Sequence, residues 1–144
     1  MATALDEARA AAARDEVPVG AVISDAAGAI IASAGNRTRE LADPTAHAEM
    51  LAIRAACAAL GSERLIGCTI TVTLEPCAMC AAAIAAARLT RVVYGASDPK
   101  SGGVMHGARV FSHAQAHHRP EVVPGVAEAD SAALLKDFFA GRRA

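Results

Sequence analysis

The sequence has no tryptophan, one tyrosine and three phenylalanines, so aromatics are only 3% of its 144 residues. Its apolar content of 53% therefore rests on alanine, valine, isoleucine and leucine, which suits helices packed closely on a sheet. An excess of charge is also missing. The formal net charge is −1, so no global basic field announces a nucleic-acid partner, and any such binding must come from a local patch. Four cysteines in a chain this rich in core residues do not read as a disulfide framework, and the C-x-x-C at Cys77 and Cys80 points to metal binding instead. The longest apolar run, Ala78 to Ala87, is too short to cross a bilayer, so no membrane span is expected. Met1-Ala2-Thr3 is followed soon by Asp6, Glu7 and Arg9, which is not the pattern of a secretory leader, and a cytoplasmic, reducing location is expected. The length suits a single domain, residues 1–144, with no internal repeat and no dividing linker.

Along the chain, residues 4–14 read as an alanine-rich helix with Asp6 and Glu7 early and Arg9 and Arg14 late, matching its dipole. Val19 to Ser24 and Ala29 to Ser33 flank Asp25-Ala26-Ala27-Gly28, which predicts a β-hairpin. Asp43-Pro44 reads as a helix start, with Asp43 as N-cap, Pro44 at the first helical position and the helix running to about Leu60. Thr69 to Leu74 is β-branched and apolar, a strand buried on both faces. Pro76 opens a second helix, Cys77 to Ala87. Arg91 to Tyr94 and Val122-Val123 follow as short strands, and Ala127 to Arg142 as a last helix. This order predicts an α/β fold with a mixed sheet of about five strands covered by helices on both sides.

Two short stretches carry the chemistry. Thr45-Ala46-His47-Ala48-Glu49 and Pro76-Cys77-Ala78-Met79-Cys80 together supply one imidazole, two thiols and one carboxylate. Zinc takes such N and S ligands tetrahedrally, and a site with three protein ligands keeps its fourth position open for catalysis. His47, Cys77 and Cys80 make those three, one zinc per chain, and Glu49 is the spare carboxylate, free to move protons. His47 and Glu49 are two apart, nearly opposite on an ideal helix, so both reach one metal only if it lies beyond their helix's N-terminus. Both helices are then expected to aim their first turns at it, where the positive dipole ends favour thiolates. The pattern has competing readings. The C-x-x-C can be redox-active, or half of a structural zinc site drawing a fourth ligand from Cys57, Cys68, His106, His113, His117 or His118. A zinc-stabilised binding module without catalysis has no use for Glu49, which argues for an enzyme. H-x-E followed by P-C-x-x-C is the signature of zinc-dependent nucleobase deaminases, and the reaction class is taken from it.

With those motifs in place, the chain resembles the bacterial tRNA-specific adenosine deaminases of the cytidine-deaminase-like superfamily. The resemblance runs nearly end to end: Glu16-Val17-Pro18-Val19-Gly20-Ala21-Val22, Gly35-Asn36-Arg37, Asp43 to Glu49, and Thr71-Val72-Thr73-Leu74-Glu75 into Pro76-Cys77-Ala78-Met79-Cys80. It continues through Arg91 to Ala96, Asp98, Lys100, His118-Arg119, Val122, Gly125 and Phe138-Phe139. Thr71 stands where the family often has an aromatic residue, and His117 where it often has a polar amide. The resemblance implies a three-layer α/β/α fold, a homodimer, and hydrolytic deamination of adenosine to inosine at the wobble position of a tRNA anticodon stem-loop. It makes His47, Cys77 and Cys80 zinc ligands, Glu49 the proton shuttle and Asn36 a contact to the base. An enzyme acting on a free base or nucleoside, such as guanine or cytosine, is the alternative. The RNA surface is expected on the loop with Asp98 and Lys100 and on the last helix. Neighbours on a helix point about 100° apart, so one of Phe138 and Phe139 is expected at the pocket rim, with Arg142 and Arg143 on phosphates.

Overall fold

A computed structural model describes residues 1–142, and Arg143 and Ala144 lie outside the described residues. In chain order the elements are α1 (Ala2–Ala13), β1 (Gly20–Ser24), β2 (Ile30–Gly35), α2 (Ala48–Leu60), β3 (Thr69–Leu74), α3 (Ala78–Ala86), β4 (Arg91–Ala96), a 3-10 turn (Val110–Ser112), β5 (Glu121–Val123) and α4 (Glu128–Arg142). The strands form one sheet in the order β2-β1-β3-β4-β5. β1 runs antiparallel to both β2 and β3, whereas β3, β4 and β5 are parallel. The hairpin joining β1 to β2 closes on Asp25, whose Oδ1 accepts the N–H groups of Ala27 and Ala29, both at 2.9 Å. Gly28 supplies the positive φ, 88°, that the turn requires. The expected mixed five-stranded sheet is the one observed.

Two layers of helix cover the sheet, and small residues decide how closely each approaches. Ala21 and Ile23 of β1, Ile70 and Val72 of β3 and Val92 and Tyr94 of β4 form the main core with Ala52 and Ala56 of α2 and Ala81 and Ile84 of α3. On the other face α1 lies across β1 and β2, burying Ala4, Leu5, Ala8 and Ala11. α4 sits beside α1 and covers β4 and β3. Here the lack of aromatics has its structural counterpart, because helix backbone rests almost directly on strand backbone. A Cβ on Gly20 would fall 1.9 Å from the Ala4 carbonyl oxygen, and one on Gly95 would meet Ser131 Oγ at 2.4 Å.

Most boundaries shift by one or two residues, and two shifts change what the flanking residues do. α1 begins at Ala2, which leaves its first turn without acidic residues and moves Arg14 to the C-cap, so the dipole-matched charges are not realised. α2 begins at Ala48 with His47 as N-cap, not at Asp43. Asp43 Oδ1 accepts both the N–H and the hydroxyl of Thr45, at 2.8 and 2.7 Å, closing an Asx turn. The Ala46 carbonyl is taken by the N–H of Arg37 at 3.1 Å, so residues 43–46 serve the neighbouring loop and not a helix.

The topology gathers one end of the sheet. The entry to β1, the exits of β2, β3 and β4 and the starts of α2 and α3 all lie there, the position where open α/β sheets bind ligands.

Gly20→Ala should lower stability by about 3 kcal/mol, at the upper end of the cost of overpacking, because its new methyl meets helix backbone that cannot rotate away. A thermal melt should show a drop on the order of 10 °C; an unchanged midpoint would mean that α1 is not seated on β1 as described.

Candidate active site

The donors are placed by two helix starts. His47 caps α2 in extended conformation, φ −70° and ψ 152°, and Cys77 caps α3 likewise, φ −70° and ψ 173°. Cys80 then falls in the first turn of α3, facing the same way as Cys77. The Nδ1 of His47 lies 3.7 Å from the Cys77 sulfur and 3.5 Å from that of Cys80, and all three donor atoms fall within 4.8 Å of one another. Zinc–nitrogen bonds near 2.0–2.1 Å and zinc–sulfur bonds near 2.3 Å put N and S about 3.6 Å apart at a tetrahedral angle. The spacing fits one zinc ion, and no other such cluster exists among the described residues. Glu49 stands outside the ligand cluster, in the first turn of α2, and is buried.

The electrostatics agree with a dication at that focus. The Cys77 thiol is drawn down to about 4, chiefly by the hydrogen bond from Cys80, with His47 also pulling it down against burial. The Cys80 thiol is pushed up by its hydrogen bond to Cys77, by burial and by Glu49. Metal binding takes cysteine as thiolate, so a dication held here would displace thiol protons. Contact with Cys77 raises His47, and the charges of Glu49 and Cys77 add to the effect. Burial pushes the Glu49 carboxyl up to about 7, against the opposing pull of its own N–H and of His47. A carboxyl poised near neutrality can both accept and return a proton.

A cavity of about 270 Å³ opens over this group. That is near the lower bound of roughly 300–1,000 Å³ for small-molecule pockets and suits one small planar group. One wall is the loop after β2, with Asn36 and Thr38, and the opposite wall is the loop after β4, with Asp98 and Ser101. Asn36 is buried; its N–H donates to the Val19 carbonyl at 3.1 Å, and its own carbonyl accepts from the Arg14 guanidinium at 3.3 Å. Its side-chain Oδ1 accepts the Thr38 N–H at 3.3 Å, and the residue lines the cavity.

The expected residues are thus only partly brought together. His47, Cys77, Glu49, Asn36 and Asp98 line the cavity, with Cys80 buried behind. Asp98 spends its Oδ1 on the N–H groups of Lys100 and Ser101, at 3.2 and 3.0 Å. Lys100 is exposed and does not line the cavity. Neither Phe138 nor Phe139 lines it; their rings meet edge to face at 5.4 Å, and Phe139 is 44% exposed. Arg142 stacks 4.0 Å over the Phe138 ring and pairs with Asp15, while Arg143 lies outside the described residues.

Two residues escaped the sequence reading. Glu75 is wholly buried and receives hydrogen bonds from the N–H groups of Asp98, Val104, Met105 and His106. Glu16, also buried, accepts the N–H groups of Arg39 and Glu40 at 3.1 and 2.8 Å. The signal for either was its place in a stretch that carries the family resemblance, Glu75 directly after β3 and Glu16 just ahead of β1.

Cys80→Ala should lose zinc, because two donors cannot replace three. Metal analysis should read well below one equivalent, with a lower melting temperature since both helix starts converge there. Full zinc occupancy would show that the ligand set is wrong.

Comparison with known proteins agrees with the geometry. The family model described as the cytidine and deoxycytidylate deaminase zinc-binding region matches residues 1–96. A tRNA-specific adenosine deaminase of Agrobacterium fabrum is 57% identical over 143 residues, covering 99% of this chain and 93% of that one. A structure from a study of A-to-I editing by tRNA:A34 deaminases at the wobble position of transfer RNA superposes with a TM-score of 0.92 at 58% identity, covering 94% of this chain and 97% of that one. A guanine deaminase from Nitrosomonas europaea shares the fold at a TM-score of 0.78 with 25% identity, covering 96% of this chain and 82% of that one. This chain belongs to the zinc-dependent cytidine-deaminase-like family, and within it to the tRNA-specific adenosine deaminases.

Proposed function

We propose that this protein hydrolyses adenosine to inosine at the wobble position of a tRNA anticodon loop. The observation that carries the reading is Glu49, a buried carboxyl held near neutrality beside a His-Cys-Cys donor set at the floor of a base-sized cavity. The identity of 57% to a tRNA-specific adenosine deaminase, against 25% to a guanine deaminase, supports tRNA over a free base. His47, Cys77 and Cys80 would hold the zinc. When bound there, zinc supplies Lewis-acid activation of water near neutral pH.

The chain's own residues do the rest. The target adenosine is splayed out of a single-stranded loop, where unstacking costs less than in a duplex. Asn36 directs its amide donor to the base. Glu49 accepts a proton from the attacking water and passes it to ring N1 as the C6–O bond forms. It then takes the proton of the new C6 hydroxyl and hands it to the amine as the C6–N bond breaks, so that ammonia leaves and the C6 carbonyl of inosine remains, with N1 protonated.

RNA outside the cavity is contacted by Lys100 and by α4. With Phe138 covered by Arg142, Phe139 is the ring available to stack on a flanking nucleotide. Residues 1–144 act as one deaminase domain, supported by the single continuous sheet and core. The protein works as a homodimer, which light scattering of the purified protein would test. No helix among the described residues is long and apolar enough to cross a membrane. A tRNA substrate places the enzyme in the cytoplasm, which fractionation would check.

The decisive assay compares ammonia release from an anticodon stem-loop with release from free adenosine, guanine and cytosine. Turnover confined to a free base would overturn the proposal. In the same assay Glu49→Gln should keep zinc and fold but lose roughly 10²–10⁴-fold in rate, the usual worth of general acid–base catalysis. Substantial remaining turnover would remove Glu49 from the mechanism.

Asn36→Ala and Phe139→Ala should separate two kinds of recognition, both with zinc retained. The first should lower kcat/KM at least tenfold, about one charge-free hydrogen bond plus its desolvation. The second should weaken stem-loop affinity about fivefold or more, the low end of a lost base stack, without changing kcat. Normal efficiency in the first variant would leave Asn36 a turn residue only, and unchanged affinity in the second would move the RNA surface elsewhere.

A further inference from the structure

Glu75 sits at the exit of β3, two residues before Cys77, and its side chain has no exposed surface. Its oxygens are fully engaged. Oε1 accepts the Asp98 N–H at 3.0 Å and lies 2.7 Å from His106 Nδ1. Oε2 accepts the N–H groups of Val104, Met105 and His106 at 3.2, 3.0 and 3.2 Å. Every donor comes from the loop that follows β4. The same loop is pressed onto the β3–α3 turn at the backbone level: Gly103 donates to the Pro76 carbonyl at 2.8 Å, and a Cβ on Gly102 would lie 2.5 Å from Glu75 Oε2.

A fully buried carboxylate is costly to desolvate, and an apolar side chain would plug the same space at less cost. What an apolar residue cannot do is satisfy four N–H groups of irregular backbone, none of which has a sheet or helix partner. The loop so held carries Asp98 and Ser101, the wall of the cavity opposite Asn36. With no exposed surface of its own, Glu75 acts through that wall.

We propose that Glu75, braced by His106, is a positioning residue that fixes the Asp98–Ser101 wall of the cavity and thereby sets how tightly the substrate base is held. The proposal rests on the reading of this cavity as the deaminase site. Glu75→Gln tests it because an amide presents one N–H₂ where two acceptors stood. Turned toward Oε2 it faces three N–H groups. Turned toward Oε1 it faces the Asp98 N–H, while His106 can accept through its other tautomer. The second orientation is the less costly, so the wall is released at Asp98.

Wild-type protein is first assayed on the stem-loop and on free bases, and whichever substrate it turns over is used for the variants, so an error in substrate class does not decide the test. Glu75→Gln should retain one zinc and an unaltered thiolate–metal absorption after cobalt substitution. Its KM should rise about tenfold or more with kcat changed much less, the signature of a misplaced binding wall. His106→Ala, at a residue 36% exposed in its side chain, removes only the ring contact and should shift KM the same way by a smaller factor. An unchanged KM in Glu75→Gln, or a loss of zinc, or a changed cobalt spectrum would overturn the proposal. Should Glu75→Gln fail to fold, His106→Ala decides by the same three readouts.

Discussion

The structure depends on two helix N-termini meeting head to head at one point. α2 and α3 each offer a terminus with unsatisfied N–H groups and a positive dipole end, and each places a metal donor at its cap. His47, Cys77 and Cys80 then crowd an imidazole and two sulfurs into one pocket, where a dication would take both sulfurs as thiolates. The same crowding explains Glu49. Placed in the first turn of α2 next to His47, it is deep enough for burial to push its carboxyl up to about 7.

Around that point the cavity walls are loops, and loops cannot satisfy their own backbone. Two buried carboxylates do it for them. Glu16 gathers the N–H groups of the wall that carries Asn36 and Thr38, and Glu75 those of the wall that carries Asp98 and Ser101. Arg14 adds a hold on the Asn36 carbonyl. These bonds give irregular chain the backbone partners that helices and strands supply for themselves.

The scarcity of aromatics shapes the opposite end of the problem. With small residues at the contacts, α1 and α4 lie so near the sheet that a single added methyl would collide with α1 backbone at Gly20 and with the Ser131 side chain of α4 at Gly95. Close packing of small residues provides dense contact without bulky side chains. It also leaves the two neighbouring phenylalanines of α4 at the periphery, one under an arginine and the other partly in solvent.

The sequence by itself determined what depends on near neighbours in the chain. The spacing of Cys77 and Cys80 and the strand over Thr69 to Leu74 carry their meaning within one turn or one strand: the two sulfurs lie together, and the strand forms, buried at Ile70, Val72 and Thr73 and half-buried between them. His47 and Glu49 flank the start of α2 as N-cap and first-turn residue, although the helix begins later than Asp43-Pro44 suggested. Only the tertiary structure decided the rest. Asp43 reads as a helix cap in the sequence, but in the fold its side chain closes a turn on Thr45 while the Arg37 N–H takes the Ala46 carbonyl. Glu16 and Glu75 are indistinguishable from surface acids until loops more than twenty residues away bring their N–H groups, because backbone donors leave no mark in a sequence. The places of the two phenyl rings follow from how α4 lies against β4, β3 and α1, which its own sequence pattern does not specify.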